Sequence, residues 1–381
     1  MDSTFIYNKY VTGKNNFGRR SEQTLLSNLL SQGENVVIYE PPKTGKTSLI
    51  QQTFFNMRIS GKQFSSSELS LLNIRSSSEL LLALGSGIIR AEATTPDEFT
   101  QFAGVFLQDT HFVFDPAEYS ATGSILSLSW DLDENDVRAI FSLPYRIAEA
   151  KGKNLVVMLT EFQNITLLED GEKILKIFET TLAEGHSGRC SYVFVGSRVN
   201  AMKEIFEHKV YFHRHVTRVK IGDIEAREIT DRIVKGFLTS GKVIDRDLMM
   251  SVCKRFRCNI WYINHFASIC DYLTKGFITE ATLMDALSML ISVHEPRFLG
   301  MMADLTGFQI SLLKATLAGC KRFSSAEVIE KYHLNSSANV RRIKDALCKK
   351  EILSFDEDDN PSVIDPLFEY WAKTSFFGIE Q

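Results

Sequence analysis

The sequence predicts an α/β fold class in which a helix-covered parallel sheet is followed by an all-helical region and a small C-terminal domain. Two continuous apolar runs, at residues 154–159 and 191–197, each follow an amphipathic helical segment. Such strands, alternating with helices, are typical of a parallel sheet that is buried on both faces. From about Ile221 the strand pattern fades, and helical periodicity continues to about Glu295.

The other elements of the sheet region follow from local patterns. In chain order, they are a helix at 22–30, strands at 36–39 and 64–74, and helices at 47–57, 80–90, 136–151 and 171–184. Residues 94–134 are rich in Phe, Ser, Thr and Asp and have no clean period. They predict an insertion or loosely packed loops.

The C-terminal segment predicts a winged helix-turn-helix. Helical patterns occur at 308–317, 324–332 and 338–350, and the last two are joined by a short turn. A strand-turn-strand follows, with four acidic residues at 356–359 at its tip. The predicted domain boundaries are 1–220 for the sheet-containing core, 221–298 for a helical lid and 299–381 for the winged helix domain.

Composition narrows the class of protein. A chain of 381 residues is long enough for about two or three domains. With 44% hydrophobic and 24% charged residues it has the composition of a globular protein, and no apolar run is long enough to span a bilayer. A net charge of −4 gives no global attraction to nucleic acid or to an anionic membrane. The N-terminal residues lack a secretory pattern, and the six cysteines form no CxxC pair, so we expect free thiols, a cytoplasmic location and no zinc site.

The most informative motif follows the strand at 36–39. Residues 40–47 read Glu-Pro-Pro-Lys-Thr-Gly-Lys-Thr, close to the phosphate-binding pattern G-x-x-x-x-G-K-[ST], but Glu40 stands in place of the first glycine. In such a P-loop, backbone N–H groups and a helix N-terminus face the phosphates. We interpret residues 40–47 as an altered nucleotide site in which Lys43 offsets the charge of Glu40; the alternative is a chance match in a loop.

The residues of this motif have distinct predicted roles. The lysine, Lys46, reaches the β- and γ-phosphates, and the hydroxyl of Thr47 holds Mg²⁺. The candidate nucleotide-binding residues of the loop are Pro42, Lys43, Thr44, Gly45, Lys46, Thr47 and Ser48. The predicted ligands are therefore ATP and Mg²⁺.

With a P-loop core, a helical lid and a winged helix in this order, the chain resembles the archaeal and Bacteroides-type ATPases. These lie near the AAA+ and STAND branches and share architecture with the origin-recognition ATPases. The stretches that carry the resemblance are 17–19, 41–47, 155–165, 196–198, 261–266 and 364–371. The resemblance implies a P-loop NTPase core of AAA+-like fold and further site residues.

In such ATPases an acidic pair closes an apolar strand, where an aspartate serves the metal and a glutamate polarises the attacking water. Here Glu161 matches the glutamate, whereas Thr160 stands where the acidic metal partner is expected. A hydroxyl brings no negative charge, so the affinity for Mg²⁺ should weaken. The alternative is that Thr160 and Glu161 merely end a buried strand and cap a turn.

The resemblance also implies roles for residues outside the two motifs. Ser197 matches a polar sensor beside the γ-phosphate, and Arg198 and Arg214 are candidate charge stabilisers; surface arginines more often only pair with carboxylates. Phe17 and Gly18 match a segment that lies against adenine, or they form a hydrophobic staple before the first helix.

The lid departs from the related pattern. Related lids tend to carry Gly-x-Pro, whereas residues 258–261 read Cys-Asn-Ile-Trp. Trp261 and Tyr262 are therefore predicted to be core aromatic residues and not adenine stackers. Cys253, Cys258 and His265 are interpreted as core residues and not as a metal site.

The winged helix has two predicted uses, docking on DNA and docking on a protein. The basic or amide side chains of its predicted recognition helix are Asn339, Arg341, Arg342, Lys344, Lys349 and Lys350. Against DNA binding, the wing tip is acidic, and the chain from Leu299 onward has ten Lys or Arg against twelve Asp or Glu.

The sequence therefore predicts an ATP-binding AAA+/STAND-like protein, a nucleotide-dependent conformational switch with weak or slow hydrolysis. The alternative is a non-catalytic regulator that acts through its winged helix on DNA or a protein. A small-molecule kinase is a weaker third interpretation.

Overall fold

A computed structural model describes residues 4–184, 188–209 and 211–379 of the chain. Its strands are β1 (Val36–Tyr39), β2 (Phe64–Ser70), β3 (Phe112–Val113), β4 (Ser127–Leu128), β5 (Asn154–Thr160), β6 (Cys190–Gly196), β7 (Thr217–Arg218), β8 (Val243–Ile244), β9 (Phe277–Ile278), β10 (Leu353–Phe355) and β11 (Pro361–Val363).

Helices make up most of the remaining chain. They are α1 (Arg20–Ser31), α2 (Lys46–Ile59), α3 (Ser77–Arg90), α4 (Pro96–Phe106), α5 (Pro116–Thr122), α6 (Glu134–Lys151), α7 (Gly171–Ala183), α8 (Val199–Lys203), α9 (Ala226–Thr239), α10 (Arg246–Arg255), α11 (Ile260–Leu273), α12 (Glu280–Ala303), α13 (Gly307–Leu317), α14 (Ala326–Lys331), α15 (Ser337–Lys349) and α16 (Pro366–Trp371). Among these described helices, none combines the length and apolarity that crossing a membrane requires.

The chain divides into two compact units, and each is described by itself. One contains residues 12–40 and 46–221, and the other contains 41–45, 222–381 and the N-terminal residues up to Val11. The predicted boundaries at 220 and 298 remain predictions.

The first unit is built on a five-stranded parallel sheet in the order β2-β5-β6-β1-β7. Alternate side chains of β1 enter two different apolar clusters, since Val37 and Tyr39 belong to one and Val36 and Ile38 to the other. Helices α1 and α2 contribute to the second cluster, and α3, α6 and α7 to the first. The predicted α/β class with a parallel sheet buried on both faces is confirmed.

The segment 94–134 is more ordered than predicted. It forms α4, α5 and the small antiparallel pair β3–β4, and it buries Phe99, Phe102 and Ile125 in the first cluster. The elements are too short to produce a clear periodicity. Their ends are nonetheless marked in the sequence, because Thr95 and Glu98 form a capping box at the start of α4.

The second unit contains the helices α9 to α12 and the C-terminal elements. Helix α12 runs without a break through Pro296 and past the predicted boundary at residue 298. After it, α14 and α15 are joined by a short turn, and β10 and β11 form an antiparallel hairpin. This is the predicted helix-turn-helix with its wing.

A polar cluster joins three helices of this second unit. Asp365 caps the start of α16, accepts a hydrogen bond from the Tyr262 hydroxyl at 2.9 Å and pairs with Arg297 at 2.6 Å. Arg297 and the Tyr262 hydroxyl help to hold the pKa of the Asp365 carboxyl below its usual value, although burial opposes this. The C-terminal segment is therefore tied to α11 and α12 by an ion pair in which the Asp365 carboxylate is mostly buried and the Arg297 side chain is exposed.

Candidate active site at the carboxyl edge of the sheet

Three neighbouring strands end at the same edge of the parallel sheet. Tyr39 of β1 pairs with Gly196 of β6, and Thr160 of β5 pairs with Val195. The residues that follow these strands, Glu40, Glu161 and Ser197, are therefore brought to one edge. Open α/β sheets bind their ligands at this carboxyl edge.

The loop after β1 forms a tight turn. Lys43 and Gly45 have φ values of 68° and 89°, and α2 begins at Lys46. A left-handed φ is easily adopted by glycine, which explains Gly45 in the motif. The Thr44 hydroxyl donates to the Pro41 carbonyl oxygen at 2.9 Å and closes the turn.

Lys46 is a buried cation at the start of α2. Its side chain is 9% exposed, and Nζ donates to the carbonyl oxygen of Glu40 at 2.7 Å. Burial lowers the pKa of Lys46 to about 8, although the carboxylates of Glu161 and Glu40 act in the opposite direction. A buried lysine with a destabilised charge is well suited to receive an anionic ligand.

The Glu40 carboxylate is held by a hydrogen bond from the backbone. Its Oε1 accepts a hydrogen bond from the backbone N–H of Ile221 at 3.3 Å. Burial raises the pKa of the Glu40 carboxyl, and the Ile221 N–H and the cations of Arg218, Lys46 and Arg19 act against this. These are the groups that offset its charge, so the prediction that Lys43 does so was wrong.

Lys43 instead lies on an aromatic face within the second unit. Its Nζ is 3.7 Å from the ring centroid of Trp261 and 4.9 Å from that of Tyr262. Burial lowers the pKa of Lys43 to about 8. Tyr262 is buried, as expected of a core residue, but Trp261 is only half-buried and forms a cation–π contact.

Glu161 has an unusual backbone and a fixed side chain. It follows β5 with φ 53° and ψ 40°, which is uncommon for a residue other than glycine. Its Oε2 accepts hydrogen bonds from the Ser197 hydroxyl at 2.5 Å and from Nε2 of Gln163 at 2.7 Å. The structure thus joins the predicted sensor and the predicted water-polarising carboxylate, and it adds Gln163.

The other predicted site residues are placed as follows. Thr47 and Ser48 lie in the first turn of α2 and are half-buried. Phe17 and Gly18 precede α1, and the neighbouring Arg19 lowers the pKa of Lys46 by its charge, which places this segment near the lysine. Pro42, Arg198 and Arg214 have exposed side chains.

The sequence alone did not identify Gln163 or Arg218. Arg218 pairs with Glu207 and lies 3.9 Å from the ring centroid of Tyr39, beside the Glu40 carboxylate. Gln163 is two residues beyond Glu161, and no spacing rule marks it. A buried amide in the turn after an acidic strand end is the pattern that would have identified it.

The basic residues of α15, the predicted recognition helix, differ in whether their charge is already paired. Lys344 pairs with Asp359 of the wing and lies 4.2 Å from the ring centroid of Phe355. Arg341 and Arg342 are exposed, and within the described part of the chain neither forms a salt bridge or a side-chain hydrogen bond. The acidic wing tip therefore neutralises one of the predicted DNA contacts, whereas the two arginines stay exposed.

Solved structures with the same arrangement of elements identify the fold. The Walker-type ATPase of Pyrococcus abyssi aligns over 96% of this chain and 99% of its own, with a TM-score of 0.64 and 15% identity. This chain has the fold of a Walker-type P-loop ATPase. The ORC2 protein of Aeropyrum pernix, in ADPNP–ADP complexes, aligns over 96% of this chain and 93% of its own, with a TM-score of 0.52 and 13% identity.

Two further comparisons concern a structure solved with DNA and the C-terminal domain. The ORC1 protein of Aeropyrum pernix, in complex with DNA, aligns over 99% of this chain and 97% of its own, with a TM-score of 0.50 and 12% identity. Residues 296–374 match the profile of a probable winged helix domain. No curated protein sequence matches the chain. The predicted P-loop ATPase architecture with a C-terminal winged helix is confirmed.

Proposed function

We propose that this Walker-type chain binds ATP with Mg²⁺ at residues 40–47 and hydrolyses it slowly. The observation that carries the proposal is the placement of Lys46 at the edge where β1, β5 and β6 end. It is a buried lysine at a helix N-terminus, close enough to the Glu161 carboxylate to interact with it electrostatically. A cation and backbone N–H groups at a helix start are the groups that bind phosphate.

Each residue has a definite role in this proposal. Lys46 holds the β- and γ-phosphates, Thr47 the magnesium ion, Glu161 the attacking water, and Ser197 the γ-phosphate. The backbone of the loop, from Pro42 to Ser48, surrounds the phosphates. The segment Phe17–Gly18 lies against adenine, and Arg198 is the candidate stabiliser of the charge that develops in phosphoryl transfer.

The metal site fits Mg²⁺ only in part. When bound, the ion would neutralise charge on the β- and γ-phosphate oxygens. Thr47 offers a hydroxyl at the start of α2, and Thr160 offers another at the end of β5. Because Thr160 replaces a carboxylate there, the affinity for Mg²⁺ and the rate of hydrolysis should be low.

We also propose that the nucleotide acts as a conformational switch. Support comes from Lys43, which belongs to the loop in sequence and contacts Trp261 of α11 within the second unit. A change in the loop on binding ATP would therefore change a contact with α11.

The test is a calorimetric titration with ATP and Mg²⁺. We expect saturable binding that depends on Lys46. A flat titration of the wild-type protein would exclude the proposed nucleotide function.

Thr160→Asp should raise the affinity of the site for Mg²⁺ or the rate of turnover. A carboxylate at this position adds a negative charge next to the metal, so the Mg²⁺ concentration for half-maximal hydrolysis should fall by about tenfold, or the turnover should rise. The measurement is ATP hydrolysis as a function of Mg²⁺. Thr180→Asp, on an exposed position of α7, is the charge-matched control. No change in either parameter would mean that Thr160 is remote from the metal.

A second candidate function is a non-catalytic regulator that docks through its winged helix on DNA or a protein. The observation that favours DNA is the exposure of Arg341 and Arg342 on α15, together with the alignment to a protein solved with DNA. The wing-tip acids favour a protein partner.

The double variant Arg341→Ala/Arg342→Ala should weaken binding to duplex DNA. It should also reduce the magnitude of the negative slope of log affinity against log salt by about two. The reason is that each arginine that neutralises a phosphate releases about one counterion. Lys344→Ala is the matched control. Because the Lys344 ammonium is already paired with Asp359, this substitution should change the slope less. The measurement is a fluorescence anisotropy titration at several salt concentrations. If the wild type has no affinity for duplex at low salt, docking on a protein remains.

A further inference from the structure

Gln163 contacts the reactive end of Glu161 from inside the protein. Its side chain is 2% exposed, and its Nε2 donates to Glu161 Oε2 at 2.7 Å. The Ser197 hydroxyl donates to the same oxygen at 2.5 Å. Within the described residues, the other oxygen of Glu161, Oε1, accepts no hydrogen bond.

The orientation of the Gln163 amide follows from the charge it faces. The opposite orientation would place its Oε1 against the Glu161 carboxylate, where two acceptors repel each other. In the observed orientation Gln163 Oε1 is buried and has no hydrogen-bond partner among the described residues. It lies close to Gly196, since a Cβ on that glycine would approach it to 2.9 Å. The amide therefore gives up one hydrogen bond in order to donate to Glu161.

The backbone leaves Gln163 little freedom to move. Glu161 adopts the left-handed conformation, and the next residues form a short 3₁₀ helix (Phe162–Leu167). Phe162 and Ile165 on this helix are 0% and 1% exposed and anchor it in the core. Gln163 is held between this anchored turn and Gly196, so its Nε2 is a fixed donor.

We propose that Gln163 is a positioning residue for Glu161. It binds Oε2 and leaves Oε1 free to orient the water that attacks the γ-phosphate. The inference rests on the proposed ATPase function. It assigns different roles to Ser197 and Gln163, because the Ser197 hydroxyl has one hydrogen and cannot donate to Glu161 and to a phosphate at the same time. When Ser197 turns to the γ-phosphate, Gln163 keeps the carboxylate in place.

The test compares Gln163→Met with the wild-type protein. Met has a similar volume and no donor, so kcat should fall about tenfold while KM and the ATP dissociation constant stay unchanged. Asn164→Leu is the matched control, because it removes a part-buried side-chain hydrogen bond of the same turn, from Asn164 Nδ2 to the Leu71 carbonyl oxygen, that does not involve Glu161. Its kcat should stay within about twofold of the wild type.

Non-additivity separates positioning from general damage to the fold. In a Glu161→Gln background, adding Gln163→Met should cause no further loss of kcat, because the amide acts through the carboxylate. An additive loss would overturn the proposal, as would an unchanged kcat in the single variant. If the wild type itself hydrolyses no ATP, the proposed function fails; if the wild type is active and Gln163→Met equals it, only the positioning role fails.

A measurement without nucleotide tests the same contact. In protein labelled with ¹⁵N at glutamine, the side-chain amide of Gln163 is assigned by its loss in Gln163→Met. Glu161→Gln should shift this resonance and speed its hydrogen exchange, whereas Glu169→Gln, at an exposed position, should change neither. A resonance unaffected by Glu161→Gln would overturn the proposed contact.

Discussion

Lys46→Ala should abolish measurable ATP binding, with a loss of affinity of at least about 100-fold, or about 2.8 kcal/mol. Lys46 is the buried cation at the start of α2, and its Nζ now donates to a backbone oxygen of the loop. Phosphate offers this ammonium charge-assisted hydrogen bonds, which are worth about 1.5–3 kcal/mol each. An alanine removes the ammonium and leaves the phosphates with the backbone donors of the loop and the Ser197 hydroxyl.

The variant should fold, and this keeps the result interpretable. Burial lowers the pKa of Lys46 to about 8, so the charged form is less favourable in the folded protein than in the unfolded chain at neutral pH. The loss of this unfavourable charge should therefore offset part of the cost of truncating the side chain. Lys173→Ala, on an exposed position of α7, is the control that should bind ATP like the wild type. Equal affinity in wild type and Lys46→Ala would place the nucleotide elsewhere.

The parallel sheet and the phosphate loop could be predicted because their sequence patterns are local. Strands β5 and β6 are buried on both faces, so their sequences are continuous apolar runs. A solvent-exposed element would not have such a run. The loop needs Gly45 for its left-handed φ and Lys46 at the helix start, and these requirements determine the residues at these two positions of the motif. The winged helix was predictable for a similar reason, since its turn and hairpin are marked by polar residues.

The orientation of charged side chains could not be predicted, because it depends on partners distant in sequence. The Glu40 carboxylate binds the N–H of Ile221, which is 181 positions away along the chain. Lys43 contacts Trp261, and no periodicity relates the two. Gln163 was missed because its role depends on Glu161 and on the absence of a Cβ at Gly196. Fold follows from patterns along the chain, whereas the chemistry of the site follows from contacts across it.

Glu161→Gln should lower the rate of ATP hydrolysis by about 100- to 1,000-fold while leaving the affinity for ATP nearly unchanged. Glutamine has the same shape and can still accept a hydrogen bond, but it cannot take the proton of an attacking water. The measurements are single-turnover hydrolysis and a calorimetric titration with ATP. Glu169→Gln is the control, because Glu169 is exposed and lies two residues past the 3₁₀ helix that ends at Leu167. This variant should keep the wild-type rate.

The same variant decides between the two interpretations of the end of β5. If Glu161 only ends the strand, its side chain has no part in hydrolysis, and Glu161→Gln should match the wild-type rate. The geometry favours the catalytic interpretation, because a residue that merely ended the strand would not need two donors on one carboxylate oxygen in a left-handed backbone. Loss of hydrolysis with retained binding, set beside the loss of binding in Lys46→Ala, would assign the two residues to separate steps of one site.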